Sequence, residues 1–164
     1  MAAASDYLEK KLLDHVFLFK DGAVTVNTGV GYAPPATVYV ALFSNTGGGA
    51  AAALEAGTNS TSGTGNWGYY ESNNGSYARQ SVVFDDLASG TPTAKASTTT
   101  VSFPVATANY DSAGTQGPIV THLAICDAAT ANNVLFFGAL TTSKTVSSGD
   151  QFTISAGNLS VQLA

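Results

Sequence analysis

The segment THLAICDAATANN brings a histidine, the only cysteine and a carboxylate close together: His122, Cys126 and Asp127. Such side chains could form a nucleophile with its base, or part of a metal site. The segment predicts a β-strand that runs into a turn. At about 3.3 Å per residue, the side chains of His122 and Cys126 would share a face but lie about 13 Å apart.

That separation excludes both kinds of site. A metal ion lies about 2.0–2.3 Å from each ligand and cannot span the gap, and a Cys–His dyad fails for the same reason. We therefore expect a half-buried histidine, a cysteine in the hydrophobic core and an aspartate that bonds to the backbone of its turn. The second histidine, His15, lies in a predicted helix and leaves a metal site short of ligands.

Two further motifs carry no chemistry. The stretch GTGNWG matches the dinucleotide-binding pattern G-x-G-x-x-G, but that pattern needs a preceding strand and a following helix, and here it lies in a run of Gly, Ser, Thr and Asn. Asp85 and Asp86 are neighbours, so on a strand they would point to opposite faces. The sequence predicts no catalytic residue, no metal ligand and no cofactor.

Composition limits the classes of partner. The 164 residues are enough for one domain, 1–164, but only 10% are charged, against about 25% in an ordinary domain. With a net charge of −5 and Arg79 as the only arginine, the chain lacks the basic cluster of a nucleic-acid binder. No apolar run reaches the roughly 18 residues of a membrane span, and the acidic start is unlike a signal peptide. A surface so poor in charge favours a permanent assembly.

The N-terminal segment, 1–21, contains one amphipathic helix from residue 6 to about 18. Leu8, Leu12 and Val16 form an apolar row, and Asp6 followed by Glu9 fits a capping box. A lone helix of this length is marginal in water. We therefore expect the row to pack against the β-domain or a neighbouring subunit, which makes its three residues candidate interface residues.

The rest of the chain follows the period of β-strands. TVYVALFS is apolar on both faces, as in a strand buried on both sides. ARQSVVF, TTTVSFP, IVTHLAI and VLFFGAL predict further strands, DQFTISAGNLSVQLA a terminal hairpin and AVTVN a weak strand. The predicted fold is all-β: a β-sandwich or jelly roll of about eight strands, with one N-terminal α-helix and a long Gly/Ser/Thr/Asn-rich loop.

That long loop covers residues 44–76 and contains the only tryptophan. Trp67, Tyr69 and Tyr70 are costly to leave in water, and disordered linkers rarely carry aromatics. Such side chains anchor protein interfaces or stack on sugars. We favour the interface, because no set of polar residues surrounds them in the sequence, and we expect the loop to contact a partner.

Several phrases together resemble one family: DYLEKKLLDHVF, PPATVYVALFS, GSYARQSVVF, VTHLAICDA and VLFFGALTTSKTVSSGDQFTISAGNLSV. They are similar to short bacteriophage virion structural proteins of β-sandwich type, often labelled tail-fibre proteins. The chain departs from that pattern at DGAVTVNTGVG, at 44–76 and at NYDSAGTQG.

The resemblance implies a non-enzymatic protein located in the virion. We first expect a capsid decoration (cement) protein that binds the major capsid protein and braces adjoining capsomers. We expect it to act as a homo-oligomer, with a trimer favoured. The alternative within the family is a tail-fibre or tail-associated adaptor that binds tail proteins. An alternative from another class is a carbohydrate-binding module that uses Trp67, Tyr69 and Tyr70.

Overall fold

The computed structural model describes residues 3–17, 35–45, 48–56, 67–85, 94–112, 117–131 and 133–162; the side chains of 3, 14–17 and 67 lie outside this description. Its helices are α1, Asp6–Phe17, and α2, Ala50–Ala56, with a 3-10 helix at Trp67–Tyr69. Its strands are β1 Ala3–Ala4, β2 Val38–Ser44, β3 Gln80–Val82, β4 Lys95–Ala96, β5 Val101–Ser102, β6 Ile119–Cys126, β7 Val134–Thr145, β8 Thr153–Ile154 and β9 Ser160–Val161.

Five strands form the main antiparallel sheet, in the order β1-β7-β6-β2-β3. Two short ladders pair β4 with β9 and β5 with β8, and isolated bridges add further β-contacts. The predicted all-β class with an N-terminal helix is confirmed. The predicted strand at AVTVN lies outside the described residues.

Strand β2 is the centre of the core because both of its faces are apolar. Val40 and Leu42 point to one face of the sheet, where Phe103 and Tyr110 cover them. Ala41 and Phe43 point to the other face, where α2 and the segment after the 3-10 helix cover them. All four β2 side chains are fully buried. The two-sided burial expected from TVYVALFS is therefore confirmed, with a helix layer on one side.

Helix α1 is fixed at its first turn by a serine. Ser5 is buried, its hydroxyl donates to the carbonyl of Val134 in β7 at 2.6 Å, and the same oxygen lies 3.4 Å from the Leu8 amide. Ser5 is thus the N-cap, one residue earlier than the predicted capping box. Leu8 is 2% exposed, and α1 packs on β7 and α2 of its own chain.

Helix α2 lies in the segment predicted as a loop, so the expectation of a single helix was wrong. Its sequence, AAAALEA, has too few large apolar residues to show a helical period, although alanine is the strongest helix former. Ala50, Ala53 and Leu54 are buried against the sheet. Asn45 accepts a hydrogen bond from the Ala50 amide at 3.0 Å and so supports the first turn.

The C-terminal arms do not pair with each other, contrary to the predicted hairpin. β8 pairs with β5, and β9 pairs with β4. The turn between the arms does form, with Gly157 at a φ of 81° and the Asn158 amide donating to the Ser155 carbonyl at 3.1 Å. The turn residues were predicted correctly, but the pairing partners of such short strands depend on contacts between segments that are far apart in the sequence.

Gly75 occupies a turn that no other residue fits. Its φ is 64°, its carbonyl accepts a hydrogen bond from Thr107, and a Cβ on it would lie 2.0 Å from the carbonyl oxygen of Ala108. Gly157 also has a positive φ but has open space around it. A comparison of substitutions at the two glycines therefore distinguishes the cost of the backbone conformation from the cost of steric overlap.

We predict that Gly75→Ala lowers the free energy of unfolding by about 3 kcal/mol or more, since the methyl group overlaps fixed backbone. Gly157→Ala should cost about 1–2 kcal/mol, because only the backbone conformation is penalised. Urea denaturation of both variants measures the difference. Equal costs would show that the turn at Gly75 relaxes freely.

Candidate assembly surface

Strand β6 places His122 and Cys126 as the spacing predicts, on the same face of the sheet. Cys126 is fully buried among Phe43, Ala124 and Val134. Burial raises the pKa of its thiol to about 12, so the side chain stays protonated. His122 is half-buried, which lowers its pKa, and its Nδ1 lies 2.9 Å from the Thr121 hydroxyl. Neither side chain is positioned as a nucleophile or a base.

Asp127 closes the loop between β6 and β7. Its carboxylate accepts hydrogen bonds from the amide and the side-chain nitrogen of Asn133, at 2.9 and 2.8 Å. Its own amide donates to the Asn133 carbonyl. Asp127 therefore shapes a turn, as expected from its position. Across the described ranges, no three His, Cys, Asp or Glu side chains come together as metal ligands.

The salt bridge between Arg79 and Glu71 was not predicted from the sequence. The guanidinium binds the carboxylate with two parallel hydrogen bonds, Nε to Oε1 at 2.6 Å and Nη2 to Oε2 at 2.7 Å. Nη1 donates to the carbonyls of Ala128 and Ala131 in the β6–β7 loop, both at 2.9 Å. One arginine thus joins three segments of the chain: the one after the 3-10 helix, the entry to β3 and the loop.

Tyr77 extends this polar cluster into the core. Its hydroxyl donates to Glu71 at 3.0 Å and accepts from the Leu42 amide of β2 at 3.1 Å. Burial and the neighbouring Glu71 charge raise the pKa of Tyr77 well above its usual value. Burial lowers the pKa of Arg79, but the hydrogen bonds to Glu71 and its charge raise that pKa by more. The net pKa is raised, so the arginine stays charged.

A cavity of about 330 Å³ lies beside this cluster, lined by Glu71, Tyr77 and Arg79 together with the 129–131 part of the loop. Its size would suit a small ligand. Arg79, however, already donates to a carboxylate and two carbonyls, and a ligand would have to break those bonds. The arrangement is suited to holding the loop in place.

The three predicted aromatic anchors have different environments. Trp67 opens the 3-10 helix, but its side chain lies outside the described part. Tyr69 is half-buried and meets Tyr70 edge to face, with ring centroids 5.1 Å apart. Tyr70 is 2% exposed and packs on α2 and the sheet. Its ring fixes its own segment to the core and is covered by the chain itself.

The residues of the apolar row of α1 also differ in their exposure. Leu8 is buried within the chain, and Leu12 is half-buried, whereas the side chain of Val16 is not described. Leu13, which would widen the row in the sequence, is instead 56% exposed. The other large apolar side chains that the described surface exposes are Val83, Val105 and Ile119.

A second surface feature is the end of β7. The sequence predicted a strand that stops at Leu140, but β7 continues to Thr145, and the side chains of 141–145 are all exposed. The extension escaped detection because TTSKT has no apolar alternation; its three threonines, which favour strands, were the only signal.

The reactive side chains described above contact other parts of the chain, and only 10% of the sequence is charged, as is common in structural proteins. The family model described as Podophage GP4 fiber I protein gp80 matches residues 3–162. The chain therefore belongs to this family of phage fibre proteins and is a virion component, which confirms the resemblance and the predicted location. No curated protein matches the chain significantly. None of the described helices has the length and apolar character needed to cross a membrane.

We predict that Arg79→Met lowers the free energy of unfolding by about 3–5 kcal/mol, because it leaves the largely buried Glu71 carboxylate without its cation and removes the arginine donor from two loop carbonyls. The double variant Arg79→Met with Glu71→Leu should be more stable than the single one, since no buried charge remains. Lys10→Met is the control: Lys10 is exposed on α1, and its loss should change stability by less than about 0.5 kcal/mol. A cost for Arg79→Met as small as that of Lys10→Met would contradict the structural role.

We also predict that the native Cys126 thiol resists alkylation at mildly alkaline pH and reacts fully after denaturation, because it is buried and protonated. Iodoacetamide labelling followed by mass spectrometry measures this. Val105→Cys supplies an exposed thiol as a positive control, since Val105 is 54% exposed. Rapid labelling of native Cys126, or a stoichiometric metal that Cys126→Ala removes, would show a functional thiol.

Proposed function

We propose that the protein is a non-enzymatic, single-domain component of the phage tail fibre, held there by contacts with tail proteins of the same virion and with further copies of itself. The observation that carries the proposal is the match of a phage fibre family to residues 3–162. This favours the tail-fibre alternative over capsid decoration, the first expectation from the sequence.

The chemistry of the described residues supports a structural role. The thiol of Cys126 is fully buried and its pKa is raised, while Arg79 and Glu71 satisfy one another inside the chain. The low overall charge suits a surface that meets other proteins and gives no basis for binding nucleic acid. A sugar-stacking platform finds less support, because such a platform needs exposed rings and Tyr70 is covered.

Among the predicted interface residues, we propose that Tyr69 and Leu12 contact partners directly, because both are half-buried and can lose further exposed area. Leu8 and Tyr70 would act indirectly, by fixing α1 and the segment after the 3-10 helix to the sheet. Trp67 and Val16 remain candidates, although their side chains lie outside the described residues. The trimer was expected for a capsid decoration protein, and the fibre proposal gives it no independent support.

The location can be tested by separating virions into heads and tails and quantifying this protein in each fraction by mass spectrometry. The major capsid protein and a tail tube protein serve as internal markers. We expect the protein to follow the tail marker. A constant ratio to the capsid marker, with none in the tail fraction, would contradict the fibre proposal and favour capsid decoration.

A further inference from the structure

Two adjoining cavities lie between β7 and the part of the chain that returns from it. One, of about 670 Å³, is lined in part by β7 residues between 140 and 145 and by residues 150–153. The other, of about 360 Å³, is lined in part by residues 136–141 and by residues 158–160. Because Leu140 and Thr141 line both cavities, the two form one cleft along β7. Each cavity lies within the size range of small-molecule sites, about 300–1,000 Å³.

The two walls of the cleft are held by different partners. β7 pairs with β6, whereas the carbonyls of Asp150 and Phe152 accept hydrogen bonds from amides in the 103–106 segment, at 2.8 and 3.0 Å. Further along the returning chain, the Leu159 carbonyl accepts from the Ser97 amide at 2.8 Å. Both walls are thus fixed by hydrogen bonds within the chain, so the cleft is preformed, as small-molecule sites usually are.

The floor of the cleft is one face of β7. Phe136, Leu140, Thr142 and Lys144 stand an even number of positions apart, so their side chains share one face of the strand. Phe136 and Leu140 are half-buried, whereas Thr142 and Lys144 are exposed. One end of the floor is therefore apolar, and the other end is polar.

The polar end has hydrogen-bonding groups to spare. Within the described ranges, no hydrogen bond occupies the Thr142 hydroxyl or the Lys144 ammonium group. Gln151 donates from its side-chain nitrogen to the Phe103 carbonyl at 2.9 Å, which fixes the amide and leaves its oxygen as an acceptor. Asp150 uses one carboxylate oxygen in its own turn and keeps the other.

The charges of the lining indicate the class of ligand. Lys144 and Asp150 are the only charged residues among the described residues that line the cleft, and their charges are opposite. An anion would be attracted by Lys144 but repelled by Asp150. A neutral ligand rich in hydroxyl groups can instead donate to the Asp150 carboxylate and the Gln151 oxygen, and accept from Lys144 and Thr142.

We propose that this cleft is a binding site for a short, neutral oligosaccharide. The hydroxyl groups of the sugars would bind at the polar end, and their apolar C–H faces would pack on Phe136 and Leu140. At about 3.3 Å per residue, positions 136–144 of β7 span about 26 Å, which is longer than a single sugar ring. The site is separate from Trp67, Tyr69 and Tyr70, the residues of the sugar-binding alternative.

An extended peptide matches the cleft less well than a sugar does. Strands recognise peptides through backbone N–H and C=O groups at a sheet edge, and these groups lie in the plane of the sheet. The floor of the cleft is a strand face, which presents side chains. Sugar binding would add an activity to the proposed structural role and does not depend on it.

Sugar binding can be measured on the isolated protein. A glycan array with neutral and acidic oligosaccharides, including those released from the surface of the host bacterium, identifies ligands, and isothermal titration calorimetry gives their Kd. We expect neutral oligosaccharides of several sugars to bind more tightly than single sugars or acidic oligosaccharides.

Substitutions in the polar end locate the binding. Thr142→Val removes a hydroxyl group at nearly constant volume, and Lys144→Met removes the ammonium group. Each should raise the Kd about three- to tenfold, because it removes one or two hydrogen bonds to the sugar. Ser143→Ala is the matched control, since Ser143 is exposed on the same strand but does not line the cleft. Its Kd, like that of Trp67→Ala, should equal the wild-type value.

Far-ultraviolet circular dichroism of each variant controls for folding. The proposal is overturned if no oligosaccharide on the array binds, or if Thr142→Val and Lys144→Met bind as tightly as the wild type. Loss of binding in Trp67→Ala alone would place the sugar at the aromatic residues and overturn it as well. So would a cleft that binds peptides of the tail proteins, offered on a parallel array, and no sugar. None of these outcomes bears on the location of the protein, which head and tail separation tests.

Discussion

The ion pair between Arg79 and Glu71 is the interaction on which the described fold most depends. Taking two charges out of water costs several kcal/mol per ion, and only close geometry with further hydrogen bonds offsets that cost. Here the geometry is bidentate, Tyr77 adds a donor to the carboxylate, and two loop carbonyls accept from the guanidinium. The pair therefore joins the segment after the 3-10 helix, the entry to β3 and the β6–β7 loop, and the Tyr77 hydroxyl links it to the Leu42 amide of β2.

Among the described residues, Arg79, Cys126 and Asp127 are all engaged in contacts within the chain. The arginine is bound to its carboxylate, Cys126 is buried at the end of β6, and Asp127 is bonded to Asn133 in the loop that Arg79 holds. The remaining exterior is rich in small and hydroxyl side chains. Such a surface offers shape and backbone groups for association, which fits a member of a phage fibre family.

The sequence predicted those parts of the fold that depend on local pattern. β2 and β6 are short, mostly apolar runs closed by turn residues, and α1 shows an apolar row, so their limits were close to those observed. α2 was missed because a run of alanines has no apolar period, and the end of β7 because TTSKT has no alternation. The partners of β8 and β9, and the contact of Arg79 with Glu71 and the loop, depend on approaches between distant segments that no local pattern encodes. Of the six candidate interface residues, burial separates Leu8 and Tyr70, which support the core, from Leu12 and Tyr69, which reach the surface.

The central claim is that this chain is a building element of the fibre, and imaging of the virion tests it most directly. Cryo-electron microscopy of particles labelled with an antibody fragment against this protein would locate it without disrupting the virion. We expect label along the fibres at the tail. Label distributed over the capsid shell, with bare fibres, would contradict it.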